Sequence, residues 1–498
     1  MRISCYRDEV SKSALTSLCP SINSITMRIP HLPLLIAILT LFTRATHADP
    51  LRAGIAAVDV TPDQWPHNLI GSFSPRLADK AHDPLHSRCT VLSDGKTTIA
   101  IAVVDNCLIK RETLDDAKQI ASQKTGIPTN HMLISATHTH TAPTGHANEN
   151  GPPKAQAYRK QLTAGIAESI IKAHASLQDA QVGWGGYDLP DEVNNRRWFL
   201  QPNTMPRNPF GETTDLVKMN PGSRGLISPA GPTDQEVSVL SIRNKKGQPL
   251  CLLGNYSLHY VGGVPGGQVS ADYFGEFSRL IANRLRREPG KDFLGIMSNG
   301  TSGDINNIQF RNRRPPREPF EQIRLVAANV ADAAYLAYRD AKHLADVPLA
   351  MTQREITLKF RKPDADLIAR SKKYLATKGE ANKELPNLAK AYAFRVIGLA
   401  NGPDTLEAII QVIRIGDLAI CSFPFETFAE IGLHLKEVSP FADTFTIELA
   451  NGWYGYLPTK EQHKFGGYET WMGTCRVQED AADILVKNLE EMMAELKQ

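Results

Sequence analysis

Apolar and polar positions alternate along this chain in two different periods, and the switches between them mark its elements. Beyond Asp49, "AGIAAVDVTP" opens as a strand, and "TVLSDGKTTIAIAVVDNCLI" predicts two more, Thr90–Ser93 and Thr97–Val104, around an Asp-Gly turn. Apolar spacings of three and four then predict a helix from Glu112 to Thr125, stopped by Gly126 and Pro128. "HMLISATHTH" is a short buried strand with a polar end, and a long helix covers Lys154 to Leu177. From there to Pro232 the pattern predicts mostly loop.

The second half repeats the alternation. "EVSVLSIRN" and "PLCLLGNYSLHY" pair as a hairpin across "KKGQ", "DYFGEFSRLIANRLRR" is helical, "DFLGIMSNG" is a strand, and "FEQIRLVAANVADAAYLAYRDA" is a further helix. "PLAMTQREITLKFRK" is a strand, and residues 364–398 form a helical insertion. "EAIIQVIRIGDLAICSFPFE" supplies two strands and "AADILVKNLEEMMAELK" a closing helix. The fold class is therefore α/β: one large domain over 49–498, with mixed β-sheets flanked by helices and no repeat or low-complexity linker.

The first 48 residues follow a different logic. From Met27, "MRIPHLPLLIAILTLFTRATHADP" has a basic start, an apolar run from Leu32 to Phe42 and small residues ending at Ala48. That is the layout of a signal peptide cleaved after Ala48, with translation starting at Met27. It predicts a secreted or periplasmic protein with no transmembrane segment in the mature chain; the run is short for a bilayer. Charge narrows the partners. With 56 basic and 53 acidic residues, interleaved rather than blocked, nucleic acid is excluded as a partner. Five cysteines follow Ala48, at 89, 107, 251, 421 and 475, without CxxC spacing, so cysteine-based zinc binding is not expected. Export permits a disulfide, and the odd count leaves at least one thiol unpaired. Cys107, Cys251 and Cys421 sit in apolar runs as core residues.

Candidate chemistry sits where apolar runs end. On a strand, positions i and i+2 share a face, so His138 and His140 of "SATHTHTAPTGH" would project together, with His146 following. His259 ends a second run in "NYSLHY", and Glu426 a third in "ICSFPFE". Each has a plain structural reading alone, His259 as a loop cap and Glu426 as a helix-start carboxylate. Together, two His and one Glu match the His2Glu set of catalytic zinc sites.

With these motifs in order, the chain resembles the neutral/alkaline non-lysosomal ceramidases, secreted zinc amidases that cleave the N-acyl bond of ceramide. "DPLHSRCTVLSDG", "ISATHTHTAPTG", "NNRRW", "SADYFGEFSRLI", "FPFETF" and "NGWYGYLPTKEQHKFGGYE" resemble that family's segments from about Ala53 to the C-terminus. The resemblance implies His138, His259, Glu426 and Tyr456 as ligands of a Zn2+ ion. It implies His140 as an acid/base or orienting group, and Arg196 and Tyr468 as donors to the developing oxyanion. Two departures stand out. The family's Gly-Asp-x-Ser-Pro-Asn motif reads "SGDINNIQF" here, with Asn306 at the serine position. An amide is no nucleophile, so zinc-activated water would attack directly, with Asn306 holding substrate or water. The family's larger members append an immunoglobulin-like domain, which is not expected here, so a smaller N-acyl substrate than ceramide enters consideration. The implied activity is linear amide hydrolysis of a small-molecule or lipid N-acyl substrate. A zinc esterase or deacylase, or a non-catalytic binding protein on the same fold, remains as an alternative.

Overall fold

The computed structural model describes residues 50–145, 151–288, 290 and 292–498. The signal-peptide segment and His146 lie outside the described residues. An eight-stranded mixed sheet runs in the order Leu294–Asn299, Pro249–Tyr256, Glu236–Asn244, Gln178–Asp188, Arg52–Asp59, His86–Ser93, Thr98–Val104, Met132–Ala136. Only its two outermost pairs are parallel. A second sheet of four strands, Leu349–Lys359, Thr405–Ile415, Leu418–Ser422 and Asp443–Ile447, ends in a parallel pair as well.

Strand alternation explains how these sheets stack. Ile99, Ile101 and Val103 point into one core with Leu240, Ile242, Ile413 and Ile420, so the two sheets face each other. Ala100, Ala102 and Val104 point the other way, against Leu114 of the helix Arg111–Thr125 and Ile166 of the helix Pro153–Ala175. Val237 and Val239 likewise meet Phe277 and Val330 of the helices Asp272–Arg284 and Glu321–Asp340. Ile410 and Val412 meet Leu485 and Leu489 of the C-terminal helix Ala481–Lys497. Helices therefore cover both outer faces, in four layers. Strands buried on both faces read as unbroken apolar runs, which is why they were legible. Each fully buried Leu or Ile contributes on the order of 1.5–3 kcal/mol relative to exposure. Gly126 ends the first helix as expected, at φ 75, its N–H donating to the Ser122 carbonyl.

Two expectations are corrected. The stretch up to Pro232 is loop-rich but opens on an unpredicted element, the eleven-residue strand Gln178–Asp188 within the large sheet. Its glycines 183, 185 and 186 removed the apolar pattern; a Cβ on Gly183 would come within 2.9 Å of the Lys342 carbonyl. The insertion extends slightly further than 364–398, as two helices, Ala365–Ala376 and Ala389–Asn401. All five cysteines from 89 onward are unpaired and buried. No helix among the described residues is long and apolar enough to cross a membrane.

What this architecture does for function lies at the carboxyl ends of the parallel strands. Chain segments leaving Met132–Ala136, Pro249–Tyr256, Leu294–Asn299, Leu418–Ser422 and Asp443–Ile447 converge there. Asn299 ties two of them, its Nδ2 standing 3.4 Å from the Thr137 carbonyl and 3.3 Å from that of His259.

Candidate metal centre

His138, His259 and Glu426 meet in one buried cluster. His138 Nε2 stands 2.9 Å from His259 Nε2 and 3.4 Å from Glu426 Oε2, while His259 Nε2 is 3.7 Å from the same oxygen. The route to this geometry differs from the period-two expectation. The strand stops at Ala136, and His138 lies beyond it with φ 73, a left-handed conformation rare outside glycine. Its backbone N–H donates to the Asn106 carbonyl at 2.9 Å, which holds that turn. His140 nevertheless faces the cluster too, its Nε2 3.1 Å from His138 Nε2 and its ring stacked on Tyr260 at 3.8 Å.

The hydrogen bonds decide which ring nitrogens are available. His138 Nδ1 lies 2.8 Å from the Cys107 carbonyl, and His259 Nδ1 lies 3.1 Å from the Ser302 carbonyl. Carbonyls only accept, so both Nδ1 atoms carry the proton and both Nε2 lone pairs point inward. Two lone pairs and a carboxylate oxygen facing one another repel unless a positive charge sits among them. The electrostatics express the same demand. Burial opposes charge on His138, yet Cys107 and Glu426 outweigh it and raise its pKa well above the ordinary imidazole value. Burial and the His138 charge together push His259 and His140 well below that value. For Glu426, burial works upward, but His138 and its hydrogen bonds bring the carboxyl below its usual range. The donor set fits a divalent ion of the zinc type.

Glu426 is fixed from both sides. Trp453 Nε1–H donates to its Oε1 at 3.0 Å, leaving Oε2 toward the histidines. In the short parallel pair Glu426–Thr427 with Tyr456–Leu457, Tyr456 is the register partner of Glu426, and its side chain interacts with that carboxylate. Tyr456 therefore belongs to the cluster. Its hydroxyl receives Arg196 Nη2–H at 2.9 Å, and burial holds its pKa well above the ordinary phenol.

The remaining expected residues divide. Tyr468 lines the cavity of about 260 Å³ above the cluster, together with His138, His140, Glu426 and Tyr456. Arg196 does not line it. It lies behind Tyr456, 3 % exposed, its Nε bound to Glu469 at 2.8 Å, so it acts on the cavity through the tyrosine. Asn306 is not on the cavity wall either. Its Nδ2 donates to Asn220 at 3.0 Å and its carbonyl accepts from the Asn307 N–H at 2.8 Å, which leaves little of the amide to hold substrate or water.

Several contributors carried no signal in the sequence. Ser302 Oγ donates to Glu448 Oε1 at 2.5 Å and lies 3.2 Å from His259 Nδ1. Glu448 is wholly buried, and burial pushes its carboxyl up to about 8. Cys107, expected as plain core, supplies the carbonyl for His138 and lines the cavity. Only their place after apolar strands, shared with the histidines, could have marked them.

Comparison with known proteins bears on this arrangement. The family described as neutral/alkaline non-lysosomal ceramidase, N-terminal, matches residues 51–309. Neutral ceramidases A and B of Dictyostelium discoideum are each 24% identical to this chain, over 269 and 216 residues. Those alignments cover 51% and 41% of this chain but 35% and 28% of the relatives, so the match spans about a third of their length. The crystal structure of neutral ceramidase from Pseudomonas aeruginosa superposes with a TM-score of 0.66 over 90% of this chain and 74% of its own, at 16% identity. A ceramidase complexed with C2 gives 0.67 over 90% and 75%, also at 16% identity. At that identity the likeness is one of fold.

Proposed function

Because this chain belongs to the neutral/alkaline non-lysosomal ceramidase family, we propose that it is an exported zinc-dependent hydrolase that cleaves the N-acyl amide bond of ceramide or a related acylated amphiphile. The observation that carries this reading is the convergence of the inward-turned Nε2 atoms of His138 and His259 on one Glu426 oxygen, with His138 and Glu426 lining the cavity. His138, His259, Glu426 and Tyr456 would hold the zinc ion, which would supply Lewis acidity and a bound water of pKa about 7.

The chain's own groups do the rest. His140 faces the same cavity with its ring fixed on Tyr260, placed to take a proton from the attacking water and return it to the leaving nitrogen. Tyr468 offers its hydroxyl from the cavity wall to the carbonyl oxygen as that oxygen gains charge. Arg196, through its bond to the Tyr456 hydroxyl, favours the phenolate form that a metal requires and fixes its direction. Asn306 stands at the family's serine position and its amide is no nucleophile, so water would be the attacking group. The signal-peptide layout of Met27–Ala48 supports export, and N-terminal sequencing of exported protein should begin at Asp49.

The test is metal content together with turnover. Purified protein should carry one zinc per chain and release fatty acid from N-acyl substrates, and His138→Ala should lose both. One zinc per chain with no hydrolysis of any N-acyl or ester substrate would sink the enzymatic reading.

A further inference from the structure

Two arginines without an acidic partner stand on the wall of the reaction cavity. Arg395 comes from the inserted helix Ala389–Asn401, and Arg476 follows Cys475. Among the described residues neither forms an ion pair with an Asp or Glu. Arg395 reaches only the Thr474 hydroxyl, at 3.4 Å, and packs over the rings of Phe73 at 5.0 Å and Tyr392 at 4.9 Å. Arg476 lies over the Trp453 ring at 4.4 Å. The two are close enough that burial and the charge of Arg395 bring the Arg476 guanidinium down to about 10. Among the described residues the one acid on this wall is Glu426, and its oxygens already face Trp453 and His138.

Like charges held together without a counterion cost free energy that a bound anion would recover. The same arginines also border a second hollow, lined by Phe360, Phe394, Leu399 and Pro403, in which Phe394 is 75 % exposed. Along the surface the order is therefore reacting groups, arginine pair, apolar groove. We propose that the substrate is an anionic N-acyl amphiphile, whose carboxylate or phosphate binds Arg395 and Arg476 while its hydrocarbon chain follows the groove beside Phe394. This rests on the hydrolase reading above and deepens it: a neutral ceramide would leave both guanidiniums unpaired. Guanidinium binds either oxyanion through paired N–H donors, so the two anions share one recognition chemistry.

The experiment compares N-nonanoylglycine, N-nonanoylethanolamine and the phosphate ester of the latter on the full-length protein. At least one anion should exceed the neutral substrate in kcat/KM by about tenfold or more, the worth of a charge-assisted hydrogen bond. Which anion leads separates a carboxylate-bearing from a phosphate-bearing substrate. That ratio should collapse toward one in the double variant Arg395→Gln/Arg476→Gln and recover in part in Arg395→Lys/Arg476→Lys, with thermal unfolding confirming that both fold. Equal turnover of charged and neutral substrates, or a ratio unchanged in the Gln variant, overturns the inference and leaves the hydrolase reading intact. If none of the three is turned over, binding decides the anion site. Calorimetry then uses ketone isosteres, with CH2 in place of the amide NH, which cannot be hydrolysed. A charged isostere that binds about tenfold tighter than the neutral one in the unmutated protein, but not in the Gln variant, supports the anion site; equal affinities overturn it.

Discussion

Arg196 donates to the hydroxyl of Tyr456 at 2.9 Å, and both side chains are almost wholly buried. The arginine is itself held by Glu469, whose other oxygen takes Arg197 Nη1 at 2.8 Å. A charged donor on a phenol oxygen favours phenolate, the form in which Tyr456 would serve as the proposed ligand. Arg196→Met should weaken zinc affinity by about 10–100-fold, as loss of a group that orients a ligand does. Competition with a chromogenic chelator measures it. Unchanged affinity would remove Tyr456 from the ligand set.

Gly71 sets the position of His140. It has φ 91, and a Cβ there would lie 2.6 Å from His140 Cγ. The ring cannot retreat, because Tyr260 stacks against it. Gly71→Ala should therefore lower kcat by about 100-fold or more, the range for a misplaced general acid/base, while zinc content by mass spectrometry stays at one per chain. Loss of zinc alongside activity would instead make His140 a ligand.

Asn306 separates water attack from attack by a residue at the family's serine position. Its amide is spent on Asn220 and the Asn307 backbone. Asn306→Ala should keep kcat/KM within about threefold while lowering unfolding free energy by about 1 kcal/mol, the net worth of a hydrogen bond. A hundredfold fall in turnover at unchanged stability would show that the amide touches the reaction.

Asp304 predicts a pH dependence of stability. Burial pushes its carboxyl up to about 7, although Ala429 N–H and Asn195 Nδ2 donate to its oxygens. The native state therefore holds this proton more tightly than the unfolded chain does. The contribution is complete below about pH 4, where both states are protonated, and is lost as pH rises through 7. Measured against Asp304→Asn by urea unfolding, the wild-type advantage should shrink between pH 4 and 8, by on the order of a few kcal/mol. A constant difference across that range would mean that Asp304 does not titrate there.

Local physics made much of this protein readable in its amino-acid order. Strands buried on both faces must be apolar throughout, and helices must carry apolar residues every third or fourth position, so most elements announced themselves. The candidate ligands were legible because His138, His259 and Glu426 each follow such a run. Gln178–Asp188 escaped because its glycines serve close approach by neighbouring chain, a constraint that exists only once the sheet has formed. The turn that reverses His138 depends on Asn106, the support for His259 depends on Ser302 and Glu448, and Arg196 reaches the site only through Tyr456. The unpaired state of Arg395 and Arg476 is likewise invisible along the chain, since a missing counterion is a fact about neighbours in space. Periodicity and strand ends are written residue by residue; lone-pair direction, burial and charge balance arise when distant segments meet, and those decided the chemistry.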